Sequence, residues 1–118
     1  MARLVVYGSS IPCPDMARFQ WWLQRHEVAA IEFIDIHREE WAYDRVIGWV
    51  GHASVPTLVI APDDSLDPIE PPTPFGAGQR VRGFDRGTML TEPNPGQIEE
   101  FLERHGISVT PSEASASR

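Results

Sequence analysis

The chain has a single cysteine and no lysine, and no long apolar run anywhere in its 118 residues. Each absence excludes something. One cysteine allows no internal disulfide, so any redox role is monothiol and passes through a mixed disulfide with another molecule. A zinc site is improbable as well, because His26, His37, His52 and His105 show no metal-ligand spacing and one thiol cannot complete a set. Without lysine, no ammonium group is available to steady a thiolate. All ten basic residues are arginine, as expected from a GC-rich genome. No apolar stretch approaches the roughly 18 residues of a membrane helix, so no membrane partner is expected. Basic residues are also outnumbered. The formal net charge of −7 argues against general binding of nucleic acid. Met1-Ala2-Arg3 runs straight into a strand-like segment without a signal-peptide layout. Together with the lone cysteine, this points to a reducing, cytoplasmic location.

What is present reads as one α/β domain. Leu4-Val5-Val6-Tyr7 is a β-branched run that predicts a buried strand. Gly8 to Pro12 is a loop, and Pro14 suits the first position of a helix, where its missing N–H costs nothing. Met16, Phe19, Trp22 and Leu23 recur at helical spacing up to about Glu27. Ala30–Ile36 alternates apolar and acidic residues as a second strand. Arg38–Val50 is a helix with Tyr43, Ile47 and Val50 on one face and Ala42, Val46 and Trp49 beside it; Gly51 stops it. Trp21, Trp22, Trp41 and Trp49 are expected to pack against the core, with Trp21 partly exposed. Thr57–Ala61 is a third strand. Pro62–Gln79 is rich in proline and aspartate, too long for an ordinary connection. Val81–Phe84 is a short strand. Asn94, Pro95 and Gln97 then mark a capped helix with Ile98, Phe101 and Leu102 inward, ended by Gly106. The expected domain covers residues 1–107, with a loop insertion at 62–80, and a disordered polar tail covers 108–118.

Cys13 falls at the predicted start of the first helix, between Pro12 and Pro14. Unpaired N–H groups at a helix N-terminus favour a thiolate, the form that attacks sulfur. The plainer reading is a small, inert, partly buried residue. Cys13-Pro14-Asp15-Met16 has the spacing of a Cys-x-x-Cys motif with a thioether in place of the second thiol. Met16 reads as packing. Asp15 suits the helix dipole, or serves as a proton relay; its charge also opposes a second negative charge on sulfur.

Four stretches, taken in order, resemble the thioredoxin fold and, within it, a glutaredoxin. They are the strand Leu4–Tyr7 leading to Cys13; Ser54-Val55-Pro56-Thr57; Val81-Arg82-Gly83-Phe84-Asp85; and Leu90-Thr91-Glu92-Pro93-Asn94-Pro95. The last is similar to the approach to the final helix in actinobacterial mycoredoxins. The resemblance implies a four-stranded mixed sheet flanked by three helices, and a cis Pro56. It implies that Cys13 is the catalytic thiol, with Pro14, Val55, Pro56 and Asp85 around a bound thiol ligand and Asp15 and Met16 near the site. Val55 would pair its backbone with the ligand peptide. Asp85 would hold a γ-glutamyl amino group, unless the insertion extends to Arg86 and takes Asp85 into the loop.

The implied activity is thiol–disulfide exchange on mixed disulfides between a client protein and a low-molecular-weight thiol. Glutathione or mycothiol is the implied co-substrate, with mycothiol slightly favoured and no tightly bound cofactor. The chain departs from the family in three places: Met16, the extra residue Pro12, and the acidic insertion. They keep open a redox-inactive module that binds a protein partner through the Val55-Pro56 groove and the 62–80 loop. Iron–sulfur carriers of the family usually have Cys-Gly-Phe-Ser, which Cys13-Pro14-Asp15-Met16 matches poorly.

Overall fold

A computed structural model describes residues 2–11 and 13–111. The elements run β1 (Ala2–Gly8), α1 (Pro14–Gln24), β2 (His26–Val28), β3 (Ile31–Asp35), α2 (Glu40–Val50), β4 (Thr57–Pro62), β5 (Phe84–Asp85), β6 (Met89–Thr91), α3 (Pro95–Arg104) and β7 (Val109–Pro111). Five strands form one mixed sheet in the order β3-β1-β4-β6-β5, and β2 pairs with β7 in a separate ribbon. β1 is parallel to β3, with Leu4 opposite Ile31 and Val6 opposite Phe33. It is antiparallel to β4, with Tyr7 opposite Thr57.

Alternation along β1 and β4 divides the core into two layers. Leu4, Val6, Leu58 and Ile60 meet Met16, Phe19 and Trp22 of α1 and Ile98, Phe101 and Leu102 of α3. Val5, Tyr7, Val59 and Ala61 meet Ala42, Val46 and Val50 of α2. The sheet is thus covered on both faces, which is why its two central strands are apolar throughout.

Several expectations need correction. The main sheet has five strands, not four, because the stretch after the insertion forms two: Phe84–Asp85 and Met89–Thr91. α1 ends at Gln24, and His26 begins a strand whose ring stacks on Trp22 at 4.4 Å. The buried face of α2 is Ala42, Val46 and Val50; Tyr43 and Trp41 are exposed, and Trp49 is half-buried. The polar tail does not start at 108. Val109–Pro111 pairs with His26–Val28, and Val109 packs against the α1–α3 layer. Residues 112–118 of that expected tail, and the extra residue Pro12, lie outside the described residues. The capped third helix is as expected: Asn94 Oδ1 accepts from Gln97 N–H at 2.8 Å, and Gln97 Oε1 accepts from Asn94 N–H at 2.9 Å.

The long loop is ordered and folds onto the α2 face. Leu66, Phe75 and Val81 pack against the α2 layer. The Tyr7 hydroxyl donates to Leu66 C=O, and Arg45 forms a 2.6 Å ion pair with Asp67. Arg86, 5% exposed, donates from Nε to Thr73 C=O at 2.7 Å and from Nη1 to Trp49 C=O at 2.6 Å. Its guanidinium also lies 4.2 Å from the centre of the Phe75 ring. Burial holds this guanidinium below its ordinary pKa. One buried arginine thus joins the middle of the loop to the C-terminal turn of α2.

Candidate functional site

Cys13 is the N-cap of α1, with extended backbone angles (φ −153°, ψ 160°), and its side chain makes no capping hydrogen bond. Pro14 takes the first helical position, as its fixed φ favours. Cys13 C=O accepts from Ala17 N–H at 2.9 Å, starting the helical ladder. The thiol is free and only partly buried, packed against the α1–α3 layer of the core. Met16, one helical turn on, is 2% exposed in the same layer. The thioether is therefore a core side chain.

Asp15 lies in the first turn, where a carboxylate complements the helix dipole. Its Oδ2 is 2.9 Å from Arg82 Nη2, and its Oδ1 is 3.3 Å from Arg18 Nη1. Two arginines therefore offset the negative charge beside Cys13. Arg82 comes from the far end of the long loop, 67 residues away in sequence.

The Val55–Pro56 peptide is cis, as the Val-Pro-Thr resemblance implies. Tyr7 and Thr57 are paired, so the end of β1 that leads to Cys13 and the start of β4 that follows Pro56 share one end of the sheet. Val55 packs against both core layers, the first of which also holds Cys13. Among the described residues, the Val55 N–H and C=O have no hydrogen-bond partner. The Pro56 carbonyl is engaged, accepting from Glu92 N–H at 2.9 Å.

Sequence reasoning passed over Glu92 and Arg82. Glu92 has φ +44°, the left-handed region, a conformation that costs of order 1–3 kcal/mol outside glycine. Neighbouring groups hold it there. Ser54 Oγ donates to its carboxylate at 2.7 Å, His52 Nε2 lies 3.5 Å from the same oxygen, and Gly83 N–H reaches its carbonyl at 3.1 Å. His52 thus borders the site while remaining largely exposed. An acidic residue immediately before a proline at a strand–helix junction was the available signal for Glu92.

Asp85 sits in β5 opposite Leu90. Its carboxylate is 2.6 Å from Arg104 Nη2 and accepts from Gly87 N–H at 2.9 Å, so it is held by the last turn of α3 and its own turn. The structure thus gathers Cys13, Pro14, Asp15 and Val55–Pro56 at one end of the sheet, and it pairs the partly exposed Asp85 carboxylate with Arg104.

On the loop after β1, Ser10 lies beside the Asp35 carboxylate, and His37 N–H donates to Asp35 Oδ1 at 2.9 Å. The Ser10 hydroxyl contributes most to holding the Asp35 carboxyl below its usual pKa, with burial opposing. Among the described residues, no group of three or more metal-ligating side chains exists, and no helix is long and apolar enough to cross a membrane. No family model matches the chain, and no curated protein or solved structure matches it significantly.

Proposed function

We propose that this chain is a thioredoxin-fold, glutaredoxin-like oxidoreductase that works by monothiol exchange through Cys13. The observation that carries the reading is the position of Cys13: a partly exposed N-cap thiol without a capping bond, at the sheet end that also holds Val55–Pro56. A sheet with one parallel and three antiparallel pairings, α1 and α3 on one face and α2 on the other, supports the fold assignment.

In the proposed step, the Cys13 thiolate attacks the small-thiol sulfur of a client mixed disulfide. The client S–S bond breaks, the client leaves as thiolate, and a disulfide forms between Cys13 and the small thiol. A second small-thiol thiolate attacks that adduct, forms the small-thiol disulfide and returns the Cys13 thiolate. Atoms and electrons balance without a second protein thiol, which accords with Met16 in the core. The unpaired Val55 N–H and C=O suit strand-like pairing with the bound thiol peptide. Glutathione and mycothiol are the proposed co-substrates, and the proposed location is a reducing cytoplasm.

Intact mass after incubating the reduced protein with glutathione disulfide, and separately with mycothiol disulfide, tests the first half-reaction. A single adduct forming faster than on a cysteine peptide, absent in Cys13→Ser, is expected. Adducts no faster than the peptide's would sink the exchange reading.

A second reading is a redox-silent module that binds a protein at Val55–Pro56. It is favoured by the burial of Met16 where a resolving thiol would stand. In that case Cys13→Ser leaves partner binding intact.

A further inference from the structure

The two edges of the main sheet differ. β5 is two residues long, and beside it Thr73 of the long loop donates its N–H to Arg86 C=O at 3.1 Å. β3 is five residues long and, among the described residues, has a neighbour only on one side, β1. Two bonds fix which of its backbone groups point outward. Leu4 N–H donates to Ala30 C=O, and Ile36 N–H donates to Gly8 C=O. In the parallel register, Glu32 and Ile34 therefore turn their backbone groups to β1, and Ile31, Phe33 and Asp35 turn theirs away. Asp35 C=O is taken by Arg38 and Glu39 N–H. The N–H and C=O of Ile31 and Phe33 and the N–H of Asp35 have no partner among the described residues.

Proteins usually blunt such an edge with charged side chains, lysine above all, with proline or a bulge, or with a covering loop. β3 carries two carboxylates, Glu32 and Asp35, but no lysine or proline, and among the described residues no strand pairs with its outer side. Instead Ile31 is 40% and Phe33 41% exposed, and they follow the register of Leu4 and Val6 onto the α1 side. On the edge lies a cavity of about 300 Å³, lined by Glu32, Ile34, Asp35, Arg38, Glu39 and Trp41 with Phe33. Its walls hold three carboxylates, two of which already face a guanidinium: Arg3 pairs with Glu32, and Arg38 lies 4.0 Å from Asp35. Glu39 is left without a cationic partner among the described residues and accepts the Trp41 indole N–H at 3.2 Å.

We propose that β3 is a docking edge for an extended, basic segment of a partner protein, which adds a sixth strand to the sheet. Main-chain bonds to Ile31, Phe33 and Asp35 would supply the pairing, and alternate side chains the selectivity. Arginine or lysine side chains on one face of the segment would enter the acidic cavity towards Glu39. Apolar side chains on the other face would cover Ile31 and Phe33. Charge argues against a second copy of this chain as the occupant. A two-fold β3–β3 pairing would bring Glu32, Asp35 and Glu39 of both copies together, between chains of net charge −7 each.

The test is an amide NMR titration of the full chain with a capped peptide of alternating arginine and valine. Shifts confined to residues 31–41 are expected. So is a loss of affinity of about tenfold or more in Glu39→Gln and Glu39→Arg, and at high ionic strength. A peptide methylated on alternate backbone nitrogens should not bind, and Cys13→Ser should bind as well as the parent chain. Any of four outcomes would overturn the proposal: no shifts, equal binding of an alternating glutamate–valine peptide, shifts centred on Val55, or β3 signals that change with protein concentration alone as sedimentation reports a dimer. The last would assign the edge to a second copy.

Discussion

Arg82 and Asp15 are joined by a 2.9 Å contact between Nη2 and Oδ2 that closes a span of 67 residues. It fastens the end of the long loop to the first turn of the helix that Cys13 caps. Asp15 is mostly buried and Arg82 is largely exposed, so the pair belongs with exposed ion pairs, worth about 1 kcal/mol or less. A double-mutant cycle with Asp15→Asn and Arg82→Ala, read by urea unfolding, should give a small positive coupling that shrinks in high salt. Strict additivity would show that the contact contributes nothing.

Arg86 should behave differently. It is buried, and it satisfies the carbonyls of Thr73 and Trp49 together. Arg86→Ala removes both charge-assisted bonds and leaves those carbonyls without their partner, at a cost of about 3 kcal/mol. Lysine should rescue little of this, because its point charge lacks the planar fork that meets two acceptors. Urea unfolding of the two variants checks it. A loss below about 1 kcal/mol for the alanine variant would mean the loop is not held there.

The contrast between these arginines also explains what the sequence discloses. Leu4–Tyr7, Thr57–Ala61 and the Asn94-Pro95-Gly96-Gln97 cap are legible because local pattern and tertiary role agree. Cys13 is legible because a helix start is a local signal, whereas Val55–Pro56 is legible through the resemblance of Ser54-Val55-Pro56-Thr57 to a family motif. β6 is not, because Met89-Leu90-Thr91 is short and directly precedes Glu92-Pro93, which reads as a connection. β7 is not, because Ser108-Val109-Thr110 has one apolar residue and gains its pairing only from His26–Val28. An arginine among glycines and aspartates reads as exposed, yet Arg86 is buried by contacts 13 and 37 residues distant. Arg82 and Glu92 reach the site through such contacts too.

Tyr7 anchors the same loop through Leu66 C=O, and burial pushes its hydroxyl up to about 12. The unfolded value is 10.0, so the neutral phenol is favoured by folding. Its contribution is whole below pH 10 and is lost as pH rises through about 12. An alkaline absorbance titration should show one phenol ionising near that value, and Tyr7→Phe should remove that step. Tyr7→Phe should also cost about 1 kcal/mol for the lost hydrogen bond. A parent protein with no phenol titrating above pH 11 would contradict the assignment.

Asp35 makes the corresponding prediction in acid. Its folded carboxyl titrates below the 3.8 of the unfolded chain, chiefly because the Ser10 hydroxyl donates to it. The stabilisation is present above that value and is lost as pH falls through the lower folded one. Ser10→Ala should move the Asp35 midpoint upward in a carbon-13 NMR titration and flatten the acid side of the stability profile. An unchanged midpoint would remove Ser10 as the cause.

The central claim is that Cys13 alone carries a complete exchange cycle. Its most direct test is steady-state release of a small thiol from a glutathionylated or mycothiolated client peptide, with the matching free thiol in excess. The account predicts saturable turnover by the parent chain, none by Cys13→Ser, and a covalent small-thiol adduct on Cys13 as the trapped intermediate. Turnover that survives Cys13→Ser, or a parent chain no faster than a free cysteine peptide, would contradict it.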